Sequence, residues 1–190
     1  MILPLLPSII YFLVALAFLA LQRWKLRRRY LWLTAVLPAL LVWLLSLTLP
    51  ASPSAALALG IWDPPDIFPT TPTLQIDQLA WIFTRLVTAL VLAVVLTSAV
   101  REEFSTPHSL GLWSLNFLFG AFSLLSLLAG NLLTLIILWL LLDLTELLIW
   151  ISNAESSAET EKAILNGSLR LAGGLDRTNL QLITGLSVAD

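Results

Sequence analysis

Cysteine is missing from this 190-residue chain, and histidine occurs once, as His108. A chain without cysteine forms no disulfide, no thiolate metal site and no cysteine nucleophile. A single histidine in a segment that we expect to be a loop gives no basis for a histidine-rich metal centre or a Ser-His-Asp triad. The glycine-rich fingerprints of nucleotide-binding loops are absent as well. We therefore expect no metal, no cofactor and no catalytic constellation in this chain.

Charged residues are also scarce, at 12% of the chain, and the net charge is -2. A basic surface that would bind nucleic acid is therefore not expected. Hydrophobic residues make up 58% of the sequence, and the mean hydropathy is +0.92. Soluble domains are about half apolar and about one-quarter charged. This composition predicts an integral membrane protein whose first partner is the lipid bilayer.

Long apolar segments follow one another over most of the chain. A helix needs about 20 such residues to cross the hydrocarbon core of a bilayer. We predict an all-α membrane bundle of about five transmembrane helices over residues 1–152. The predicted spans lie near 3–21, 31–49, 76–100, 110–129 and 131–151.

Proline and glycine mark the expected interruptions. Pro38 should kink the second span because it removes a backbone hydrogen bond, and Gly130-Asn131 should form the turn between the last two spans. The prolines between residues 50 and 75 predict a loop.

Residues 153–190 form a polar tail that we predict to be partly helical and cytoplasmic. A helix should begin at Ser156 or Ser157, either of which can cap it, and should break at Gly173-Gly174. No segment of the tail is long and apolar enough to be predicted as a span.

Basic residues predict the orientation of the bundle, because short cytoplasmic loops are rich in lysine and arginine. Five basic residues follow the first span: Arg23, Lys25, Arg27, Arg28 and Arg29. No charge precedes that span, as it would in a signal peptide, so we expect it to be retained. The pattern predicts a membrane protein with its N-terminus outside and its C-terminus in the cytoplasm.

Four polar side chains fall inside the predicted spans, namely Arg85, Asn116, Asp143 and Glu146. A charge near the bilayer centre costs about 2.5–3.5 kcal/mol on insertion scales, so such residues mark an ion path or a charge pair. Counted from the outer ends of their spans, Arg85 is about 13 Å deep and Asp143 about 18 Å deep. Asn116 and Glu146 share a level nearer the cytoplasm. We therefore predict the pairs Arg85–Asp143 and Asn116–Glu146.

Two interpretations of these residues stay open. In the first, Asp143, Glu146 and Asn116 form a proton path, and Arg85 is the charge partner of Asp143. In the second, the Arg85–Asp143 pair only holds two helices together, and Glu146 reaches the lipid headgroups. Asp77 is predicted separately as a carboxylate at the start of the third span, near the positive end of the helix dipole.

Several stretches carry a family pattern. LQIDQLAWIFTRLVTALVLAVVLTSA opens a long apolar helix with Ile76-Asp77, and AGNLLTLIILWLLLDLTELLI contains Asn131-Leu132-Leu133-Thr134 and Trp139. The segment KAILNGSLRLAGGL is similar to the lysine-bearing start of the family's next helix. Residues 1–172 thus resemble the N-terminal part of the antiporter-like subunits (L, M and N type) of respiratory complex I, an NADH-quinone oxidoreductase, and of Mrp cation/proton antiporters.

The resemblance implies a subunit of a proton-translocating membrane complex, with other membrane subunits as partners. Two departures from the family pattern qualify this expectation. The family's membrane glutamate directly follows the tryptophan, and this chain has Leu140 there, with Asp143 three residues further on the same helix face. The family has about fourteen spans, and its later lysine-bearing helices have no counterpart here. A structural or assembly subunit without transport is the alternative function.

Overall fold

The computed structural model describes residues 5–22, 31–48, 55–58, 71–100, 109–154 and 156–186. Within these ranges the chain is almost entirely helical, with six helices and one short pair of strands. The helices are α1 (Leu6–Leu21), α2 (Leu31–Thr48), α3 (Gln78–Val100), α4 (Ser109–Leu127), α5 (Leu132–Asn153) and α6 (Ser157–Leu186), and the strands are β1 (Ala55–Ala58) and β2 (Thr73–Ile76). The predicted all-helical class is confirmed at this level.

Three helices in the described ranges, α3, α4 and α5, are long and apolar enough to cross a membrane. Helix α1, with 16 described residues, and the apolar part of α2, Trp32–Thr48, are apolar but shorter than these three. Each of these five helices lies where a span was predicted. The basic segment from Arg23 to Arg29 and the loop that holds His108 lie outside the described residues.

The proline-rich connection between α2 and α3, predicted as a loop, contains a small antiparallel sheet. Strand β1 pairs with β2, with Ala55 opposite Ile76 and Ala58 opposite Thr73. The sheet is fastened to the turn between α4 and α5, where Gly130 N donates to Thr73 O at 2.7 Å and Gln75 N donates to Leu128 O at 2.7 Å. This end of the bundle is therefore closed by backbone hydrogen bonds.

Gly130 is required for that closure. A Cβ at this position would lie 2.8 Å from Thr73 Oγ1 and 3.1 Å from the Thr73 carbonyl oxygen. The next residue, Asn131, caps α5 by accepting a hydrogen bond from Thr134 N at 2.9 Å, and its Nδ2 donates to Thr71 O at 2.5 Å. The predicted Gly130-Asn131 turn is confirmed, and the structure adds that it also holds the sheet.

The main core lies between α1 and α4 and extends to α2 and α3. The Phe117 ring stacks on Phe18 at 5.7 Å and meets Tyr11 edge-on at 5.6 Å. Ser114 Oγ donates to Ala15 O at 2.8 Å, so the two helices approach closely. The other fully buried members are Ala35, Ala39, Val42, Val95, Trp113, Ala121 and Leu124. Small residues at such contacts are typical of helices that pack inside membranes.

Helix α6 is longer than predicted. It runs from Ser157 to Leu186 without the expected break at Gly173-Gly174. Each glycine costs about 1 kcal/mol relative to alanine in a helix interior, and the helical hydrogen bonds on both sides outweigh that cost here. The predicted break is therefore wrong. The predicted helix start is confirmed, because Ser156 Oγ accepts a hydrogen bond from Glu159 N at 3.3 Å.

Candidate functional site

Asp143 and Glu146 lie on one face of α5, because residues three apart in a helix are neighbours on its surface. Both side chains are partly buried, with 16% of Asp143 and 30% of Glu146 exposed. The turn between them is regular helix, and Thr145 donates its hydroxyl proton to Leu141 O. The two carboxylates therefore face the same neighbour.

That neighbour is Arg170, on α6. Its Nη1 donates to Glu146 Oε2 at 2.8 Å, and its Nη2 donates to Asp143 Oδ1 at 3.2 Å. One guanidinium thus bridges two carboxylates through separate nitrogens, the forked geometry in which arginine differs from lysine. We call Asp143, Glu146 and Arg170 the charge triad. Charge-assisted hydrogen bonds of this kind are about twice as strong as neutral ones.

Helix α6 reaches the triad by folding back along α5. Only three residues separate Asn153, the last residue of α5, from Ser157, the first of α6. Gly167 faces Leu147, and a Cβ on Gly167 would lie 2.6 Å from Leu147 Cδ1. Later residues of α6 meet earlier residues of α5, so the two helices run antiparallel. The glycine gives the close approach that brings Arg170 within reach.

A cavity of about 410 Å³ adjoins the triad. Its wall is mainly apolar, with the charged groups at one side. It is lined by Asp143, Glu146, Leu147, Trp150, Ala163, Asn166, Gly167, Leu169 and Arg170. A second cavity of about 420 Å³ shares Trp150, Ala163 and Asn166 with the first and extends to Asn153 and Ala154 at the end of α5. One water needs only about 10–15 Å³ of such space, so the cavities have room for several waters.

Arg85, the predicted partner of Asp143, lies elsewhere. Its Nε donates to Ser46 O at 3.2 Å, and its Cζ lies 5.8 Å from the centre of the Trp81 ring. Beside it the hydroxyls of Ser46 and Thr88 share a buried hydrogen bond of 3.0 Å. The structure therefore pairs Asp143 with Arg170 in place of Arg85. The reason is packing, since the face of α3 that carries Arg85 lies against α2.

Asn116 is half-buried on α4, a helix that packs against α5. The hydrogen bond that the structure describes for Glu146 goes to Arg170, so it does not join Glu146 to Asn116. Asp77 precedes α3, and its Oδ1 accepts a hydrogen bond from Ala80 N at 2.6 Å. A carboxylate in that position satisfies a free N–H group of the first helical turn.

Sequence reasoning did not select Arg170. It belongs to a helix of mixed polarity, and the tail containing it was expected to lie in water. Two features of the sequence could have identified it. A connection of only three residues makes neighbouring helices antiparallel. Arg170 lies about as far after that connection as Asp143 lies before it, so the two residues come to about the same level.

Among the described residues no group of three or more histidines, cysteines, aspartates or glutamates is placed to hold a metal ion. At the triad, the two carboxylates that could bind a metal ion already share the Arg170 guanidinium. No protein-family model matches the chain, and no match to it is found among curated proteins.

Proposed function

We propose that this chain is a membrane subunit of a larger proton-translocating complex, of the antiporter-like kind that its sequence resembles. In this proposal α1 to α5 span a bacterial inner membrane with the N-terminus outside, and α5 ends at the cytoplasmic side. The single observation that carries the proposal is the charge triad, in which two carboxylates on α5 share one guanidinium on α6.

The charge balance of the triad supports proton handling. Two ionised carboxylates and one guanidinium sum to one negative charge. An uncompensated charge inside a membrane protein costs several kcal/mol, and a proton or a small cation would remove that charge. In this proposal the triad is therefore the place in the bundle that takes up one positive charge.

Access to the triad supports the same proposal. The two adjoining cavities extend from Asp143 and Glu146 to Asn153 and Ala154 at the end of α5. Waters in such a passage would link the carboxylates to that surface. Asn116, on the neighbouring α4, is the candidate for extending the path into the bundle.

Leu140 favours a second candidate function, that of a structural or assembly subunit. It occupies the position of the family's membrane glutamate, one helical turn before Asp143. Four large apolar side chains of α5 are exposed, namely Leu132, Trp139, Leu144 and Leu148. In this function the triad would hold α6 to α5, and these exposed side chains would pack against partner helices.

Proton flux through the assembled complex in liposomes separates the two functions. Asp143→Asn keeps the shape of the side chain and removes its charge, and the first function predicts a loss of flux with assembly intact. Asp77→Asn is the matched control, because the amide oxygen can still cap α3, and flux should be unchanged. Normal flux in an assembled Asp143→Asn complex would contradict the proton role and favour the structural one.

A further inference from the structure

Because α6 runs antiparallel to α5, the depth of α5 in a membrane determines the depth of α6. Helix α5 has 22 residues, which at about 1.5 Å each give about 33 Å, close to the thickness of the hydrocarbon core. Asp143 is 11 residues after Leu132 and 10 before Asn153, so it lies about 15–17 Å from either end. If α5 spans the bilayer, Asp143 is near its middle.

Arg170 must then be near the middle as well. Its Nη2 is 3.2 Å from Asp143 Oδ1, and Gly167 lies against Leu147 one turn closer to the surface. Arg170 is 13 residues after Ser157, which corresponds to about 20 Å of helix. That length is enough to carry the chain back from the end of α5 to the level of Asp143.

The composition of this part of α6 fits such a location. Glu159, Glu161 and Lys162 lie within about 8 Å of its start, at the depth of lipid headgroups. The next eleven residues, AILNGSLRLAG, contain one charge, that of Arg170. On the sides turned away from α5, the side chains of Ile164, Leu165 and Leu169 are 50%, 58% and 63% exposed.

We propose that residues 157–170, here called the returning segment, lie inside the membrane beside α5, with Ile164, Leu165 and Leu169 in contact with lipid acyl chains. Leu144 and Leu148 on α5 are exposed as well, and in this proposal they also contact lipid. This inference rests on the proposal that α5 spans a membrane and does not depend on a proton role. It replaces the expectation that the whole tail is in the cytoplasm.

Electrostatics makes this location of Arg170 acceptable. An isolated arginine near the bilayer centre is costly, and such residues pair with acids or reach water-filled space. Arg170 pairs with both Asp143 and Glu146, and in this proposal the exposed 58% of its side chain borders the adjoining cavity, where water would solvate it. The backbone polar groups of the segment are bonded within the helix, as a hydrocarbon environment requires.

Cysteine labelling tests the proposal directly, because the natural chain has no cysteine. Single variants Ser156→Cys, Leu165→Cys and Leu169→Cys are made in the full chain, with Leu148→Cys on α5 as the membrane control. Open membrane sheets expose both faces to a charged maleimide. We expect Ser156→Cys to react rapidly and the other three at least about tenfold more slowly, because thiolate formation and reagent entry are both disfavoured in lipid. All four should react after solubilisation in SDS.

Rapid labelling of Leu165→Cys and Leu169→Cys, with Leu148→Cys still protected, would overturn this inference and leave the proposed function standing. Rapid labelling of Leu148→Cys would overturn the membrane position of α5 and the inference with it. Nitroxide labels at residues 165 and 169 identify what covers them. We expect the labels to collide often with oxygen and rarely with a polar nickel complex. Rare collisions with both reagents would show that protein covers the labels and would overturn the lipid assignment.

Discussion

Replacing Arg170 with methionine removes the cation of the charge triad and keeps an unbranched side chain of similar length. The wild-type side chain makes two charge-assisted bonds, at 2.8 and 3.2 Å. A hydrogen bond to a charged group contributes about 1.5–3 kcal/mol, but exposed ion pairs contribute only about 0–1 kcal/mol. Arg170 is 58% exposed and Asp143 only 16%, so we expect a total loss of about 2 kcal/mol.

Thermal unfolding of the reconstituted chain measures this loss. For a protein of about 150–250 residues, 1 kcal/mol corresponds to about 2–4 °C in Tm, so Arg170→Met should lower Tm by about 4–8 °C. In the Asp143→Asn, Glu146→Gln background the same change should have little effect, because no carboxylate remains unpaired. Lys162→Met, which removes another cation from α6, is the control and should leave Tm nearly unchanged. Equal destabilisation in both backgrounds would refute the charge argument and assign the effect to packing of the arginine stem.

Two further predictions concern stability away from the triad. Asn131→Ala removes the cap of α5 and the hydrogen bond to Thr71 O, and should lower the free energy of unfolding by about 1–3 kcal/mol. Asn131→Asp keeps the acceptor for Thr134 N and should lower it by less in the same unfolding assay. An equal cost for the two variants would show that the cap contributes nothing. Thr88→Val removes the hydroxyl that lies 3.0 Å from Ser46 Oγ, and because Ser46 Oγ still donates to Trp43 O at 2.7 Å the change should cost about 0.5–1.5 kcal/mol. Adding Ser46→Ala to Thr88→Val should cost less than Ser46→Ala alone. Simple additivity of the two changes would contradict the described pairing.

The positions of α1 to α5 were predictable because each coincides with a long apolar run of the sequence. The end of α4 and the start of α5 were predictable for a local reason. Gly130 and Asn131 interrupt an otherwise continuous apolar run, and asparagine is a preferred helix cap. Asp143 and Glu146 were selected because acids are rare inside such runs.

The partner of these acids was not predictable from depth alone. Arg85 and Asp143 were predicted to lie at similar levels, but a level along the membrane normal does not specify which helices are neighbours. The structure packs α3 on α2 and places Arg85 against Ser46, whereas the short connection after α5 brings α6 beside Asp143. The pairing of strand Ala55–Ala58 was not predictable either, because alanine has little preference for strands and the partner strand lies beyond a proline-rich segment.

A disulfide between α5 and α6 tests the central claim that the two helices pair to form the charge triad. Leu147→Cys and Gly167→Cys are combined in the naturally cysteine-free chain and oxidised in native membranes. A Cβ on Gly167 would lie 3.3 Å from Leu147 Cγ, and the cysteine at 147 removes the leucine methyl groups that would clash. Leu147 Cγ stands about where the Sγ of a cysteine at 147 would lie, and the Cβ of one cysteine is about 3 Å from the Sγ of the other across an S–S bond of about 2.05 Å, so we predict rapid and nearly complete cross-linking within one chain. Failure of the two cysteines to cross-link in native membranes would contradict the pairing of α5 with α6.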